Sequence, residues 1–453
     1  MIVSDKCVKL NLKADVLVVG GGPSGIAAAL AAAREHADVV LIEANGCLGG
    51  MATSALVGPF MTSFDSTGTK QLIKGIFDEL VLSLEKEGGA IHPSKCEKYT
   101  SYSAYRIDGH SNLGPFNSDV LKRVAEQMCL ESNVRILYNT TLIDSVVQDG
   151  KIQKCICAVN GGICIIEAEK FIDCTGNGDL AFLSDVPMEK PENVQPASLF
   201  FLIDGVDKSE FEKIKKEHPN ATRSSNPLAY YDFVGKLRES GEYPIEKSSV
   251  AMYESCDGTW RVNMTRVNGV DATDPISATN AVIELRKQVP IVVNMLKKHI
   301  PGCKNIRVVN VADQAGFRES RRIIGKFVLT AEEMQKSVSF DDNIALCANS
   351  FDMHSGTKVN YVVAPEKPYG VPYRCLVPQN VENLLVAGRC ISCTREALAA
   401  IRVMPPCFAM GEAAGVAAAV ALRENCNFED IDVHTVQSIL RKNGAVISAE
   451  DIK

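Results

Sequence analysis

No run of basic residues and no basic-aromatic patch of the kind that tracks a phosphate backbone occurs in this chain. Its net charge of −7 is spread along the sequence, so nucleic acid is not an expected partner. The seven histidines are dispersed and none joins cysteines at zinc-like spacing, so no metal site is expected. There is no GxSxG elbow for a hydrolase-type nucleophile, and no second strand-GxGxxG-helix unit that would mark a separate NAD(P)H domain. No stretch approaches the length and apolarity needed to cross a bilayer. The start, MIVSDKCVKLNLKADVLVVGGG, lacks a basic region followed by an apolar core and a cleavage site, so the expectation is a cytoplasmic protein without a membrane partner. Without an export signal, the sixteen cysteines, scattered through apolar segments, are expected as thiols rather than a disulfide framework.

What is present is enough for a sizeable core: 453 residues, 46% hydrophobic and 23% charged, suggesting two or three structural units. The first unit reads strand, glycine turn, helix, strand: ADVLVVG, GGPSG, IAAALAAARE, ADVVLIE. That is the βαβ pattern of a parallel sheet. NSDVLKRVAEQMCL, from 117 to 130, predicts an amphipathic helix capped by Asn117 or Ser118, and NVRILYNT a further strand. VQDGKIQKCICAV, GGICIIEAE and KFIDCTG read as three short strands of a β-meander inserted into the sheet, with Cys155 and Cys157 on one face of the core. From about 190 to 375 the pattern is mixed, with a long helix from about 277 to 299 interrupted by Pro290. NLLVAGR then returns to a buried strand, and PPCFAMGEAAGVAAAVALRE to a helix with Pro405 and Pro406 in its first turn. The expected class is α/β: residues 1–190 and 375–453 form a discontinuous Rossmann-like domain, and 191–374 a mixed α+β substrate or cap domain.

Gly20, Gly22 and Gly25 form GxGxxG between a strand and a helix, where backbone amides can approach a pyrophosphate at the helix N-terminus. Glu43, at the end of the second strand and 18 residues beyond Gly25, is placed to accept hydrogen bonds from ribose hydroxyls. These features establish an adenosine diphosphate site and leave FAD and NAD open. Three later segments, CLGGMAT at 47–53, CTGNGD at 174–179 and VAGR at 386–389, supply further glycines and polar groups suited to an extended ligand.

With GGGPSG, LGGMAT, TGNGD, RESRR and LLVAGRCIS in that order, the sequence resembles the FAD-dependent oxidoreductases of the glutathione-reductase-like superfamily, from about residue 14 to about 445. The resemblance implies FAD. By it Gly20, Gly22, Ser24 and Gly25, with Pro23 in the same turn, hold the pyrophosphate, and Glu43, beside Ala44, the ribose. Gly49, Gly50, Met51 and Ala52 line the path to the isoalloxazine; Thr175, Gly176 and Asp179 form a second contact, Gly388 and Arg389 a third. Met404 joins the set at the start of the helix beginning near Pro405, whose N-terminal dipole suits the negative charge of a reduced flavin.

The substrate is expected to be a small organic molecule held against the flavin. Arg318, Arg321 and Arg322, in GFRESRRIIG, share a helical face and are candidates for binding a carboxylate, unless Arg318 or Arg321 pairs with Glu319 or another acid. His354, in DMHSG on a polar loop, is the acid-base candidate, with a structural or solvated imidazole as the alternative. Tyr361 and Arg395 are further candidates, and Cys47 a conceivable covalent flavin link. Two rival functions remain: a dithiol exchange at Cys390 and Cys393, or a protein that keeps FAD without turnover. The electron donor or acceptor is open.

Overall fold

The computed structural model describes residues 7–97, 100–104, 112–217, 230–247, 250–355, 358–362 and 367–452, with backbone alone for 214–217, 230–233, 355 and 358–362. The first strand, β1 (Val8–Val19), is longer than ADVLVVG because its polar first half also finds a partner. It runs parallel to β6 (Gly162–Asp173) along its whole length, from Val8 opposite Ile163 to Val19 opposite Asp173. Helix α1 (Pro23–Arg34) follows the glycine turn, and β2 (Val39–Ile42) pairs parallel with β1 on its other edge.

Beyond β2, a further helix (Ser118–Glu131), capped by the Asn117 side chain, leads into β3 (Arg135–Leu137), which pairs parallel with β2. The meander comprises β4 (Thr141–Gln148), β5 (Lys151–Val159) and β6, antiparallel to one another, giving the order β3-β2-β1-β6-β5-β4. Here the expectation needs correcting. GGICIIEAE and KFID are one continuous strand, with Glu167 and Glu169 exposed and Lys170 buried but donating to the Cys426 carbonyl, and the first meander strand starts earlier, at Thr141. The C-terminal half of β6 also pairs with Leu384–Val386, so chain from both ends of the sequence closes the sheet.

One face of this sheet is covered by α1 and the helix Met404–Glu424, which pack against each other over small residues. A Cβ on Gly411 would lie 2.1 Å from the Ser24 carbonyl oxygen, and one on Gly415 2.2 Å from that of Ala28. The Met404–Glu424 helix is long and apolar enough to cross a membrane, contrary to the expectation that no stretch is, with a mean hydropathy of 1.4. Yet 89% of that window is buried inside the molecule, so its apolarity is that of a core helix. The opposite sheet face packs beneath the meander, with Cys155 and Cys157 both buried there.

A second core forms around an antiparallel sheet of Arg307–Val311, Phe201–Asp204, Trp260–Val262 and Met252–Glu254, in that order. The helix Pro275–His299 covers it, capped by Asp274 and continuous through Pro290 rather than broken there. Proline removes a single helical hydrogen bond, and Leu285, Val289, Val292 and Leu296, buried on both sides of it, hold the axis. Leu329, Ile344, Cys347 and Tyr369, from the segment expected in the cap, are buried in the first core with α1.

Candidate active site

A cavity of about 720 Å³ runs between the two cores. At the end of β1 the chain turns so that the three glycines of the motif face different surroundings. Gly20, at φ +99°, and Gly25 are confined by protein: added Cβ atoms would lie 2.6 Å from the Cys174 carbonyl oxygen and 1.7 Å from that of Gly20. Gly22 differs. It lines the cavity, and a Cβ there would meet no protein atom within 4 Å, so the space beside it is kept for a ligand.

Gly22 is also the N-cap of α1 and provides no side-chain cap, while Pro23 and Ser24 line the same cavity. The Met404–Glu424 helix repeats the arrangement: its N-cap Val403 offers no side-chain hydrogen bond, and Val403, Met404 and Cys407 line the cavity. Two helix N-termini without side-chain caps therefore open on one space, which suits an anionic, extended ligand, although Pro405 and Pro406 leave the second of them few amide donors.

Glu43 is 6% exposed and lines the cavity beside Ala44. Its Oε2 accepts from the Gly21 amide at 2.7 Å and its Oε1 from the backbone and side-chain amides of Asn45 at 2.8 and 2.5 Å, so the carboxylate is fixed in place with a lone pair of Oε2 remaining for a hydroxyl donor. Gly50 and Met51 line the cavity; Gly49 and Ala52 do not. Gly49 is a packing glycine, its absent Cβ replaced by Thr53 and Leu121, and Ala52 is buried with its carbonyl bonded to Ser118.

Thr175, Gly176 and Asp179 line the cavity, organised by Asp173, a residue the motif reading passed over although it immediately precedes CTGNGD. Asp173 is fully buried and accepts from the Thr175 amide and hydroxyl and from the Ala181 amide. Burial pushes its carboxyl up to about 6. Gly388 and Arg389 line the cavity as well, with Arg389 Nη1 donating to the Phe317 carbonyl.

The arginines of GFRESRR do not share a helical face, because the segment is extended and each side chain leaves in its own direction. Arg318 lines the cavity and donates to the Pro196 carbonyl and to Ser198 Oγ at 2.8 Å. Arg321 is outside it, paired with Asp179 and stacked 4.1 Å from the Phe182 ring. Arg322 is fully buried against Glu189 and the Cys393 carbonyl. The partner of Glu319 is Arg395, at 2.9 Å, rather than Arg318 or Arg321.

His354 lies on a strand, Phe351–Ser355, and not on a polar loop; it is 5% exposed and lines the cavity. Arg266 Nη2 sits 3.1 Å from its Nδ1 and Asp352 Oδ2 3.1 Å from its Nε2. Arginine only donates, so Nδ1 accepts and the ring proton is on Nε2, given to Asp352. Burial holds the imidazole well below its usual range, so it is neutral near pH 7 and does not titrate there. The Tyr361 side chain lies outside the described residues. Cys47 is half-buried near Thr53 and Ser54 and is not among the lining residues.

Cys390 and Cys393 are buried thiols and do not line the cavity. Burial pushes Cys393 up to about 12 and Cys390 well above its usual value, the reverse of what thiolate exchange requires. Lys247 and Arg402, which sequence reading missed, do line it. Neither belongs to a recognisable motif; Arg402 precedes the Met404–Glu424 helix by two residues, and Lys247 follows Ile245, a buried residue of the second core, by two.

A parallel sheet with a glycine turn and acidic strand end, opening on a cavity that continues to a second core, defines a dinucleotide-binding α/β protein. The chain belongs to the family of FAD dependent oxidoreductases, whose model matches residues 15–440, and FAD is its cofactor. No curated protein matches the sequence significantly. Among solved structures it is similar to a geranylgeranyl bacteriochlorophyll reductase-like protein from Thermoplasma acidophilum, at 14% identity and TM-score 0.48 over 96% of this chain and 85% of that one. It is also similar to p-nitrophenol 4-monooxygenase PnpA from Pseudomonas putida DLL-E4, at 12% identity and TM-score 0.47 over 96% and 86%. A third is L-proline dehydrogenase from P. horikoshii, at 11% identity and TM-score 0.46 over 96% and 100%. At these identities and TM-scores the likenesses bear on neither substrate nor reaction.

Proposed function

We infer that this family member moves hydride equivalents between FAD and a small organic substrate received at the wall formed by Arg318, His354 and Phe200. The observation that carries the reading is the continuity of the cavity: one space is lined by Gly22, Ser24 and Glu43 and also by these residues of the second core and its surroundings. FAD supplies two-electron chemistry when bound. The residues that fit it are Gly20, Gly22, Pro23 and Ser24 at the first turn, Glu43 and Ala44 at the strand end, Gly50 and Met51, Thr175, Gly176 and Asp179, Gly388 and Arg389, and Met404. Gly25, Gly49 and Ala52 support this set from behind.

The chain's own residues bind and orient. Arg321 is a positioning residue, holding Asp179 at the cavity wall. His354 keeps its proton on Nε2 and serves to hold Asp352 and Arg266 rather than to exchange protons near neutrality. The dithiol alternative has no support from the burial of Cys390 and Cys393.

Anaerobic addition of small-molecule donors to the FAD-loaded protein, followed by the visible absorbance of the flavin, tests the reading. Bleaching by a donor, reversed by an acceptor, is expected. If no donor bleaches the flavin and no acceptor reoxidises it after chemical reduction, the protein holds FAD without turnover.

A further inference from the structure

The wall that faces the second core is cationic. Lys247, Arg318 and Arg402 line it, brought together from segments more than seventy residues apart, and Arg266 stands behind His354. Lys247 is 2% exposed and Arg266 3%, and the Arg402 side chain 10%, so these charges are held away from solvent. Among the described residues, the carboxylate lining this part of the wall is Asp352, and it already serves His354 at 3.1 Å and Arg402 at 3.6 Å. The other lining acids stand elsewhere: Glu43 at the first turn, Asp179 beside Arg321, and Asp313 on an exposed segment next to Gln314.

The histidine does not add to the positive charge, since its Nδ1 accepts from Arg266. Arg402 is the informative residue. One of its terminal nitrogens donates to the Asp352 carbonyl at 2.9 Å, but its Nε is fully buried and has no hydrogen-bond partner among the described residues. A buried guanidinium N–H left unmatched is unfavourable, and buried cations are stable when an anion meets them. Planar two-oxygen acceptors fit a guanidinium, and an ammonium beside it adds a point charge.

Building on the reading above, we propose that the substrate carries a carboxylate, and that Lys247 and Arg402, with Arg318, form the subsite that receives it. The subsite selects anionic over neutral molecules and fixes one end of the substrate, leaving the rest to be oriented along the cavity. The rival source of negative charge is the reduced flavin itself, which the same cations would then balance.

The test uses the FAD-loaded protein with defined probes: benzoate and succinate against benzamide and succinamide. Binding is read from perturbation of the oxidised flavin spectrum and from the thermal midpoint, without turnover. The carboxylates are expected to saturate and raise the midpoint while the amides do neither. Lys247→Met is expected to weaken carboxylate binding about tenfold or more, as loss of one charge-assisted hydrogen bond does. Its flavin content and flavin midpoint potential should stay as in the parent. The proposal is overturned if amides bind as well as acids, a comparison that needs no variant. It is equally overturned if Lys247→Met shifts the potential and leaves carboxylate affinity unchanged, which would assign the cations to the flavin. Because no step of this test requires catalysis, anion selectivity can hold or fail independently of whether any donor bleaches the flavin.

Discussion

At the scale of single residues, the first turn shows how one motif divides its labour. Gly25 and Gly20 are glycines because protein backbone occupies the place of a side chain; Gly22 is one because the cavity does. Gly22→Val should therefore leave the stability of the flavin-free protein within about 0.5 kcal/mol of the parent. The same variant should purify with little FAD, read as the ratio of visible to ultraviolet absorbance. Gly25→Ala should instead lower the denaturation midpoint of the flavin-free protein, since its methyl group meets the Gly20 carbonyl oxygen. Equal loss of stability in both variants would contradict this division. The sequence shows all three glycines alike, and only the surroundings distinguish them. His354 makes the same point: its residue type suggested titration near neutrality, whereas its neighbours Arg266 and Asp352, remote or adjacent in sequence, occupy both ring nitrogens.

At the scale of elements, stability and cofactor binding separate according to which contact is touched. The Met404–Glu424 helix lies so close to α1 that Gly411 faces the carbonyl oxygen of Ser24, a residue of the glycine turn that lines the cavity. Gly411→Ala should push the helices apart, with a loss of about 1–3 kcal/mol in denaturant unfolding and a parallel loss of bound flavin. Asp274 caps the helix Pro275–His299, accepting from the Ile276 and Ser277 amides. Asp274→Ala should destabilise by about 1 kcal/mol with flavin content unchanged, because the cap lies at the exposed start of that helix. Helices, caps and strand order near the termini were legible because apolar periodicity and turn residues are local signals. The extended course of GFRESRR was not, since its arginines fit a helical spacing and only Asp179, Phe182, Glu189 and the Pro196 carbonyl draw them apart.

At the scale of the whole molecule, two buried titratable groups act in opposite directions on stability. Glu412, 2% exposed, accepts from the Ile76 amide through Oε2 while Oε1 has no hydrogen-bond partner among the described residues, and burial pushes it from the usual 4.5 to about 7. Its folded value is raised, so its contribution is present below about pH 4.5 and is lost as the pH rises through about 7, on the order of 3 kcal/mol in all. His354 is lowered from the usual 6.5, so its contribution is present above that pH and lost as the pH falls below it. Between these limits the two slopes oppose each other. In Glu412→Gln the first is removed, and the difference in unfolding free energy, variant minus parent, should rise steadily from about pH 4.5 to about 7. A flat difference across that range would show that Glu412 is not buried as a neutral acid.

The sequence by itself determined the parallel sheet, the glycine turn and Glu43 at the strand end, because each rests on residues close together in the chain whose backbone demands are local, and it indicated FAD through the order of five motifs spread over nearly the whole chain. It also indicated that both ends of the chain build one sheet. Only the tertiary structure brings together the cavity wall that faces the second core, including Arg318 and His354, whose residue types already stand out in the sequence. Lys247, Arg318, His354 and Arg402 come from distant segments in no recognisable order, and their chemistry exists only where folding buries their charges around one space.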